Sequence, residues 1–146
     1  MKIVLDEGAK MPTRGHATDA GLDLYAREDF TVPGCCDLGY GFASVGCAVH
    51  GTGVHVQIPE GYVGFLKSKS GLDVRNGITG EGVIDAGYTG SIVVKLYNHT
   101  ENAYHFRKGD KIIQLVLLPI ITPELELVDS LEDTERGEGG FGSTGR

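Results

Sequence analysis

The sequence predicts an all-β protein: a single β-barrel or jelly-roll-like domain over residues 1–123, followed by a mobile, glycine-rich C-terminal arm over residues 124–146. Glycine accounts for 23 of the 146 residues, against roughly 7% in average proteins, and it is spread between short apolar runs. Several of those runs alternate apolar and polar residues, as half-buried strands do. Many short strands joined by glycine-containing turns indicate a barrel or a two-layered β-domain.

The strands are predicted from alternation and from β-branched clusters bounded by turn residues. They cover residues 20–26, 30–33, 54–58, 62–67, 78–84, 91–97, 105–107 and 111–118. The last of these ends before Pro119 and is rich in β-branched residues, which favours a buried strand over a helix. No composition shift or repeat indicates a second domain.

Two segments do not follow the strand pattern. Residues 68–75 form the only plausible helical turn, with Ser70 available as its N-cap. Residues 34–53 contain six glycines and are consistent with either a hairpin or an extended loop.

Composition and charge restrict the functional class. A formal net charge of −7 argues against a general nucleic-acid-binding surface. The N-terminus lacks the apolar core of a signal peptide, and the longest apolar run is shorter than the roughly 20 residues that a membrane span needs. Three cysteines cannot form a complete disulfide framework. We therefore expect a cytoplasmic protein without nucleic-acid or membrane partners.

A zinc site is an alternative use of the cysteines. Cys47 and His50 lie three residues apart, and the pair Cys35 and Cys36 precedes them. The spacing does not match a known zinc finger, and free thiols are far commoner than such sites. The alternative is therefore disfavoured.

The last eleven residues combine five glycines with groups that suit a nucleotide. Glycine lets backbone N–H groups approach an anion closely, and Phe141 offers a face for stacking. Ser143 and Thr144 add hydroxyl donors, while Arg136 and Arg146 add positive charge. Composition alone favours a flexible end, as for most glycine-rich termini. An arm with seven acids over residues 124–138 links this segment to the core.

Three loops of the body carry polar residues that an apolar β-core does not need. Asp19 and Asp23 lie around the first glycine turn. Asp85 follows an apolar strand at the start of a turn, where aspartate commonly forms an Asx-turn but can also point out of the sheet. Residues 67–71 offer two ammonium groups and two hydroxyls at a strand end. The residues alone indicate a β-domain that could bind a phosphorylated ligand.

Five stretches, taken in order, resemble the five motifs of the trimeric dUTPases, the deoxyuridine triphosphate nucleotidohydrolases. They are residues 20–26 (AGLDLYA), 69–71 (KSG), 82–90 (GVIDAGYTG), 109–114 (GDKIIQ) and 136–145 (RGEGGFGSTG). One such motif would be weak evidence, whereas five in order and correctly spaced are strong evidence. The resemblance extends from about residue 15 to the end of the chain.

The resemblance implies hydrolysis of dUTP to dUMP and pyrophosphate with Mg²⁺, in a homotrimer whose three sites each draw on all three subunits. Such an activity limits uracil incorporation into DNA and supplies dUMP for thymidylate synthesis. By this similarity, Asp85 is the general base that activates the attacking water, and Gln114 helps to orient that water and contacts phosphate. Asp23 holds the water shell of Mg²⁺, without binding the metal directly.

The same resemblance implies how the substrate is held. Lys69, Ser70 and Gly71 contact phosphates. Tyr88 packs under the deoxyribose and excludes a 2′-hydroxyl. The uracil edge is recognised by backbone groups of the 78–88 hairpin, among them those of Gly82, Val83 and Ile84.

The arm completes the site implied by the resemblance. It comes from another subunit, stacks Phe141 on uracil and surrounds the phosphates with Arg136, Gly142, Ser143 and Thr144. Because the arm has little apolar surface to bury, we expect it to be mobile without ligand. It is therefore predicted to act as a lid whose order depends on the substrate.

Lys69 departs from the family pattern, because an arginine is expected at that position. A point charge replaces a bidentate guanidinium, which predicts slower turnover or weaker binding. Two other functions remain open on this fold: a bifunctional dCTP deaminase–dUTPase, and a nucleotide-sensing regulatory protein that binds partners through residues 34–53. The intact fifth motif and the absence of a clear deaminase glutamate signature disfavour the first alternative.

Overall fold

The structure, a computed structural model, describes residues 1–39 and 42–140. That part of the chain contains twelve strands and one helix. They are β1 (Lys2–Leu5), β2 (Gly21–Tyr25), β3 (Phe30–Val32), β4 (Cys36–Gly39), β5 (Phe42–Ser44), β6 (Gly46–Gly51), β7 (Val54–Gln57), β8 (Tyr62–Lys67), α1 (Ser70–Asn76), β9 (Ile78–Ile84), β10 (Val93–Asn98), β11 (Tyr104–Phe106) and β12 (Lys111–Pro119).

The main structural layer is a curled, six-stranded antiparallel sheet with the order β2-β12-β8-β9-β10-β6. Three antiparallel pairs, β1-β7, β3-β11 and β4-β5, accompany it. The sheet curls into a half-barrel, so the prediction of an all-β, barrel-like fold is confirmed. The division at residue 123 stays a prediction.

The core follows from the alternation that the sequence shows. Leu24, Leu66, Leu96 and Leu115 project from four different strands onto one side of the sheet and are almost inaccessible to solvent. In β10 the alternation is regular, with Val94, Leu96 and Asn98 buried and the residues between them exposed. Burying such side chains is worth about 1.5–3 kcal/mol each, so this face contributes much of the stability of the sheet.

The segment over residues 34–53 is only partly the hairpin that its glycines indicate. β4 and β5 do form a two-stranded hairpin, but β6 pairs along its whole length with β10 and forms an edge of the main sheet. β6 begins and ends with glycine, which is depleted in strands, so local propensity gives little signal for it. Its pairing depends on the partner strand, a tertiary effect.

The helix α1 begins one residue earlier than the predicted N-cap implies. Lys69, in an extended conformation, occupies the N-cap, and no side-chain cap bond forms, so the assignment of Ser70 as N-cap is wrong. At the other end, Gly77 has φ of 62° and donates its N–H to the last turn, a left-handed cap that glycine adopts without strain. α1 is therefore a short connector between β8 and β9.

Residues 120–140 carry no helix or strand and are almost entirely exposed. Leu125 and Leu127 are 98% and 100% accessible. The predicted mobility of this arm stays a prediction. Within residues 1–39 and 42–140, no helix has the length and apolar character needed to span a membrane.

Candidate active site

An open cleft of about 410 Å³ gathers three of the predicted site residues, Asp23, Lys69 and Gln114. They come from β2, from the residue before α1 and from β12. The remaining lining residues belong to the first glycine loop and the start of β12: Gly15, His16, Asp19, Ala20, Gly21 and Lys111. Three of the five motifs, separated by up to 91 positions in the chain (Asp23 to Gln114), therefore meet at one place.

The register of the strands explains why Asp23, Lys69 and Gln114 lie close together. Gln114 lies opposite Asp23 on β2 and opposite Lys67 on β8, and directly opposed residues share a face of the sheet. The chain leaves β8 through Ser68 and reaches Lys69 beside them. Nε2 of Gln114 donates to the carbonyl of Ser68 at 3.0 Å, which ties β12 to this exit.

Ser68, the residue that follows β8, fixes the backbone there through two hydrogen bonds to Gly80. Its hydroxyl donates to the carbonyl of Gly80 at 3.1 Å and accepts the Gly80 N–H at 2.9 Å. On the other side of the cleft, Gly21 leaves room for Gln114, because a Cβ at Gly21 would lie 2.1 Å from Gln114 Oε1. Both contacts restrict the positions that Lys69 and Gln114 can take.

Asp23 is the electrostatic centre of the cleft. It is only 5% exposed, and its two carboxylate oxygens accept from Lys69 Nζ and, at 2.6 Å, from Lys111 Nζ. Burial opposes ionisation of this carboxyl, but hydrogen bonds from Lys111 and Lys69 outweigh it and hold the pKa of Asp23 below its usual range. Asp23 is therefore a carboxylate at neutral pH.

Asp85 and Tyr88 lie in a second, smaller depression of about 240 Å³, lined also by Val83, Ile84 and Val93. Asp85 is exposed at the end of β9, and its carbonyl accepts the Tyr88 N–H at 3.0 Å in a tight turn. The Tyr88 hydroxyl donates to the carbonyl of Ser91 at 2.9 Å, which holds the ring against the turn. A carboxylate and an aromatic ring are thus presented side by side.

The two clusters lie at opposite ends of the β8–β9 ladder. The pairing runs from Gly64 opposite Ile84 to Lys67 opposite Glu81, a span of three residue steps or about 10 Å. Asp85 continues beyond one end and Lys69 beyond the other. The two depressions share no lining residue, so one chain does not bring Asp85 to the Lys69 cleft.

The other predicted residues fall in three places. Ser70 and Gly71 begin α1 and are exposed outside both depressions. Gly82 lines a separate groove together with Val83, Lys67 and Glu81. Arg136 donates from Nε to the carbonyl of Gly139 at 2.9 Å within the arm. The predicted contacts of Phe141, Gly142, Ser143 and Thr144 lie outside the described residues.

Across residues 1–39 and 42–140, no group of three histidine, cysteine or acidic side chains is placed to hold a metal ion. His50, considered above for zinc, instead accepts the backbone N–H of Arg27 and stacks on Phe30. For Mg²⁺, Asp23 is a fitting group: a carboxylate accepts about four hydrogen bonds, and the two lysines use only two. It could accept from metal-bound water.

Sequence reasoning missed Lys111. It lines the cleft and binds Asp23, yet in the sequence it is only a strand-initial lysine after a turn. A signal was available in the two consecutive isoleucines that follow it, which break the alternation of the strand.

An ionised carboxylate, two ammonium groups and a restrained amide surround an open cleft of this β-domain, and such a group of charges suits a phosphorylated small molecule. A family model described as dUTPase matches residues 7–145. The deoxyuridine 5′-triphosphate nucleotidohydrolase of Saccharomyces cerevisiae is 44% identical over an alignment of 148 positions, which covers 99% of this chain and 94% of that protein. The chain belongs to the dUTPase family, and the resemblance seen in its five motifs is confirmed.

Solved structures agree with this assignment. The dUTPase of Staphylococcus bacteriophage 80alpha with dUPNHPP superimposes with a TM-score of 0.86 at 35% identity, covering 99% of this chain and 98% of that one. A mutant dUTPase from phage phi11 of S. aureus, described with a structural Mg(II) ion, gives a TM-score of 0.76 at 32% identity. That alignment covers 90% of this chain and 98% of the phage chain.

Proposed function

We propose that this protein is a dUTP diphosphatase, which hydrolyses dUTP to dUMP and pyrophosphate with Mg²⁺ in the cytoplasm. Membership of the dUTPase family over nearly the whole chain is the observation that carries the proposal. The free cysteines Cys35, Cys36 and Cys47 are compatible with a reducing compartment.

The cleft around Asp23 is the proposed triphosphate site. Lys69 and the start of α1 at Ser70 and Gly71 would contact phosphate oxygens, and Gln114 would orient the attacking water and contact phosphate. Because Gln114 is bonded to Ser68 and packed over Gly21, its amide is held in place before substrate arrives. Preorganised donors of this kind stabilise charge that develops on phosphoryl oxygens.

Asp85 is the proposed general base. Its exposed carboxylate can take a proton from a water that attacks the α-phosphorus, while the P–O bond to the β-phosphate breaks and pyrophosphate leaves. Tyr88, held beside Asp85 by its hydroxyl bond to Ser91, would pack against the deoxyribose and leave no space for a 2′-hydroxyl. Backbone groups of Gly82, Val83 and Ile84 would pair with the uracil edge.

Mg²⁺ would neutralise the phosphates and help to withdraw charge from the leaving pyrophosphate. On the protein, Asp23 would hold it through bound water, because its carboxylate has free lone pairs even while Lys69 and Lys111 are bonded to it. The low pKa of Asp23 keeps it a hydrogen-bond acceptor throughout the neutral range.

A homotrimer with shared sites accounts for the separation of the two clusters. Since the Asp85 cluster and the Lys69 cleft lie at opposite ends of a ladder in one chain, each would complete a site with its counterpart on a neighbouring subunit. The arm of a further subunit would then close over the nucleotide through Arg136 and the segment that follows it.

The test is release of pyrophosphate from dUTP, dTTP, dCTP and UTP, each with Mg²⁺ and again with excess EDTA. We expect rapid release from dUTP alone, and only with the metal. Assaying ammonia from dCTP in parallel tests the bifunctional alternative, since its release would overturn a simple dUTPase. Equal hydrolysis of UTP and dUTP would contradict the role of Tyr88.

A further inference from the structure

β12 contains a bulge at the edge of the cleft. Lys111 pairs with Tyr25 on β2, and the next pairs are Ile113 with Leu24 and Gln114 with Asp23. Ile112 is therefore an extra residue in β12 that has no paired residue on β2. Ile112 and Ile113 are consecutive and both buried, which a regular strand does not allow when one face meets solvent.

The bulge determines where Lys111 points. In a regular strand, residues three apart face opposite sides of the sheet. Without the bulge, the pairing of Gln114 with Asp23 would place Lys111 opposite Ala26, which is buried. With the extra residue, Lys111 lies opposite Tyr25, on the same face as Asp23 and Gln114. Bulges commonly re-aim a side chain next to active sites. Here the bulge places the ammonium group of Lys111 in the cleft.

The charges of the cleft show what this ammonium does. Among the lining residues, the Asp and Glu side chains are Asp19 and Asp23, and the Lys and Arg side chains are Lys69 and Lys111. Without Lys111 the cleft would carry net negative charge and repel a polyphosphate. Lys111 is also the more accessible of the two lysines, with its side chain 45% exposed against 24% for Lys69.

We propose that Lys111 is a second phosphate-binding residue, which contacts the triphosphate beside Lys69 after both ammonium groups exchange Asp23 for phosphate oxygens. The proposal deepens the proposed function and rests on it for the identity of the nucleotide. In the free protein Asp23 holds both lysines in the cleft. The two ammonium groups then replace the bidentate phosphate contact that an arginine at position 69 would make.

The experiment measures binding of inorganic tripolyphosphate to the full-length protein by calorimetry, in EDTA so that no metal role of Asp23 contributes. Lys111→Gln should weaken binding about 10- to 100-fold, the usual effect of one charge-assisted contact. Lys111→Arg should retain most of the affinity. Lys95→Gln is the matched control, because Lys95 is an exposed strand lysine outside both depressions, and it should leave affinity unchanged.

A double-mutant cycle separates phosphate binding from mere neutralisation of Asp23. In an Asp23→Asn background the carboxylate that pairs with Lys111 is gone, yet Lys111→Gln should still weaken tripolyphosphate binding by a similar factor. If Lys111→Gln has no effect in that background, or if the wild-type protein does not bind tripolyphosphate, the proposal is wrong. Failure of the wild type to hydrolyse dUTP would instead contradict the proposed function, leaving this result intact.

Discussion

At the scale of single residues, the site depends on side chains that already have partners. Asp23 is bonded to two lysines, Gln114 to the Ser68 carbonyl and Tyr88 to the Ser91 carbonyl. Side chains held in this way lose little further entropy when substrate binds. Asp85 differs, because it is exposed at a turn where water can reach it. An accessible carboxylate of this kind is suited to take a proton from water.

Asp85→Asn tests that assignment. The substitution removes the base and keeps the shape, so we expect kcat for dUTP to fall by about 10²–10⁴-fold while affinity for an imido analogue of dUTP stays within about threefold. Glu60→Gln is the control, since it likewise removes one exposed carboxylate from a turn. Near wild-type turnover by Asp85→Asn would show that another group takes the proton.

At the scale of elements, most strands could be predicted because one face of each meets the core. β8 and β9 have the predicted bounds, and the loop motifs at their ends were recognisable. The pairing of β6 could not be predicted, since it depends on a partner strand, and the bulge at Ile112 is indicated in the sequence only by two consecutive isoleucines. Lys111 was missed for that reason. Clustering of Asp23, Lys69 and Gln114 was predictable only through the family motifs.

His50 shows how an element is held by a neutral side chain. On β6, its Nε2 accepts the Arg27 N–H at 3.0 Å and its ring stacks on Phe30 of β3 at 4.2 Å. Burial lowers the pKa of His50; the charge of Glu28 partly opposes this shift and that of Arg27 adds to it. Below about pH 6.5 the unfolded chain therefore binds a proton that the folded protein does not, so this group lowers stability as pH falls.

His50→Gln should remove that dependence, because an amide oxygen can accept the same N–H without titrating. We expect the Tm difference between wild type and variant to move in favour of the variant as pH is lowered from 7.5 to 5.5. The pKa of His55 is raised by the Thr89 carbonyl and by Asp6, so this group gives the stability the opposite dependence on pH. That contribution is the same in both proteins and cancels in the Tm difference. A constant difference over this range would contradict a buried neutral His50.

At the scale of the whole molecule, the chain presents two separate clusters of polar residues and an arm. The ladder between β8 and β9 keeps Asp85 away from the Lys69 cleft, so the proposed chemistry requires a second subunit. Residues 121–138 of the arm are exposed, and Nε of Arg136 bonds within the arm, to the carbonyl of Gly139. We therefore expect residues 121–138 to contribute little to the stability of the β-domain.

Truncation after Glu135 separates these functions. The β-domain, its core and both depressions remain, so size-exclusion chromatography with light scattering should show a folded trimer with a Tm close to that of the full chain. Turnover of dUTP should fall by about 10²-fold or more, because the groups that close over the nucleotide and hold it in line for attack are lost. Substituting Arg136→Gln in the full chain should reproduce part of this loss without any change in Tm. Full activity in the truncated protein would remove the arm from the mechanism, and a monomer would show that the arm holds the subunits together.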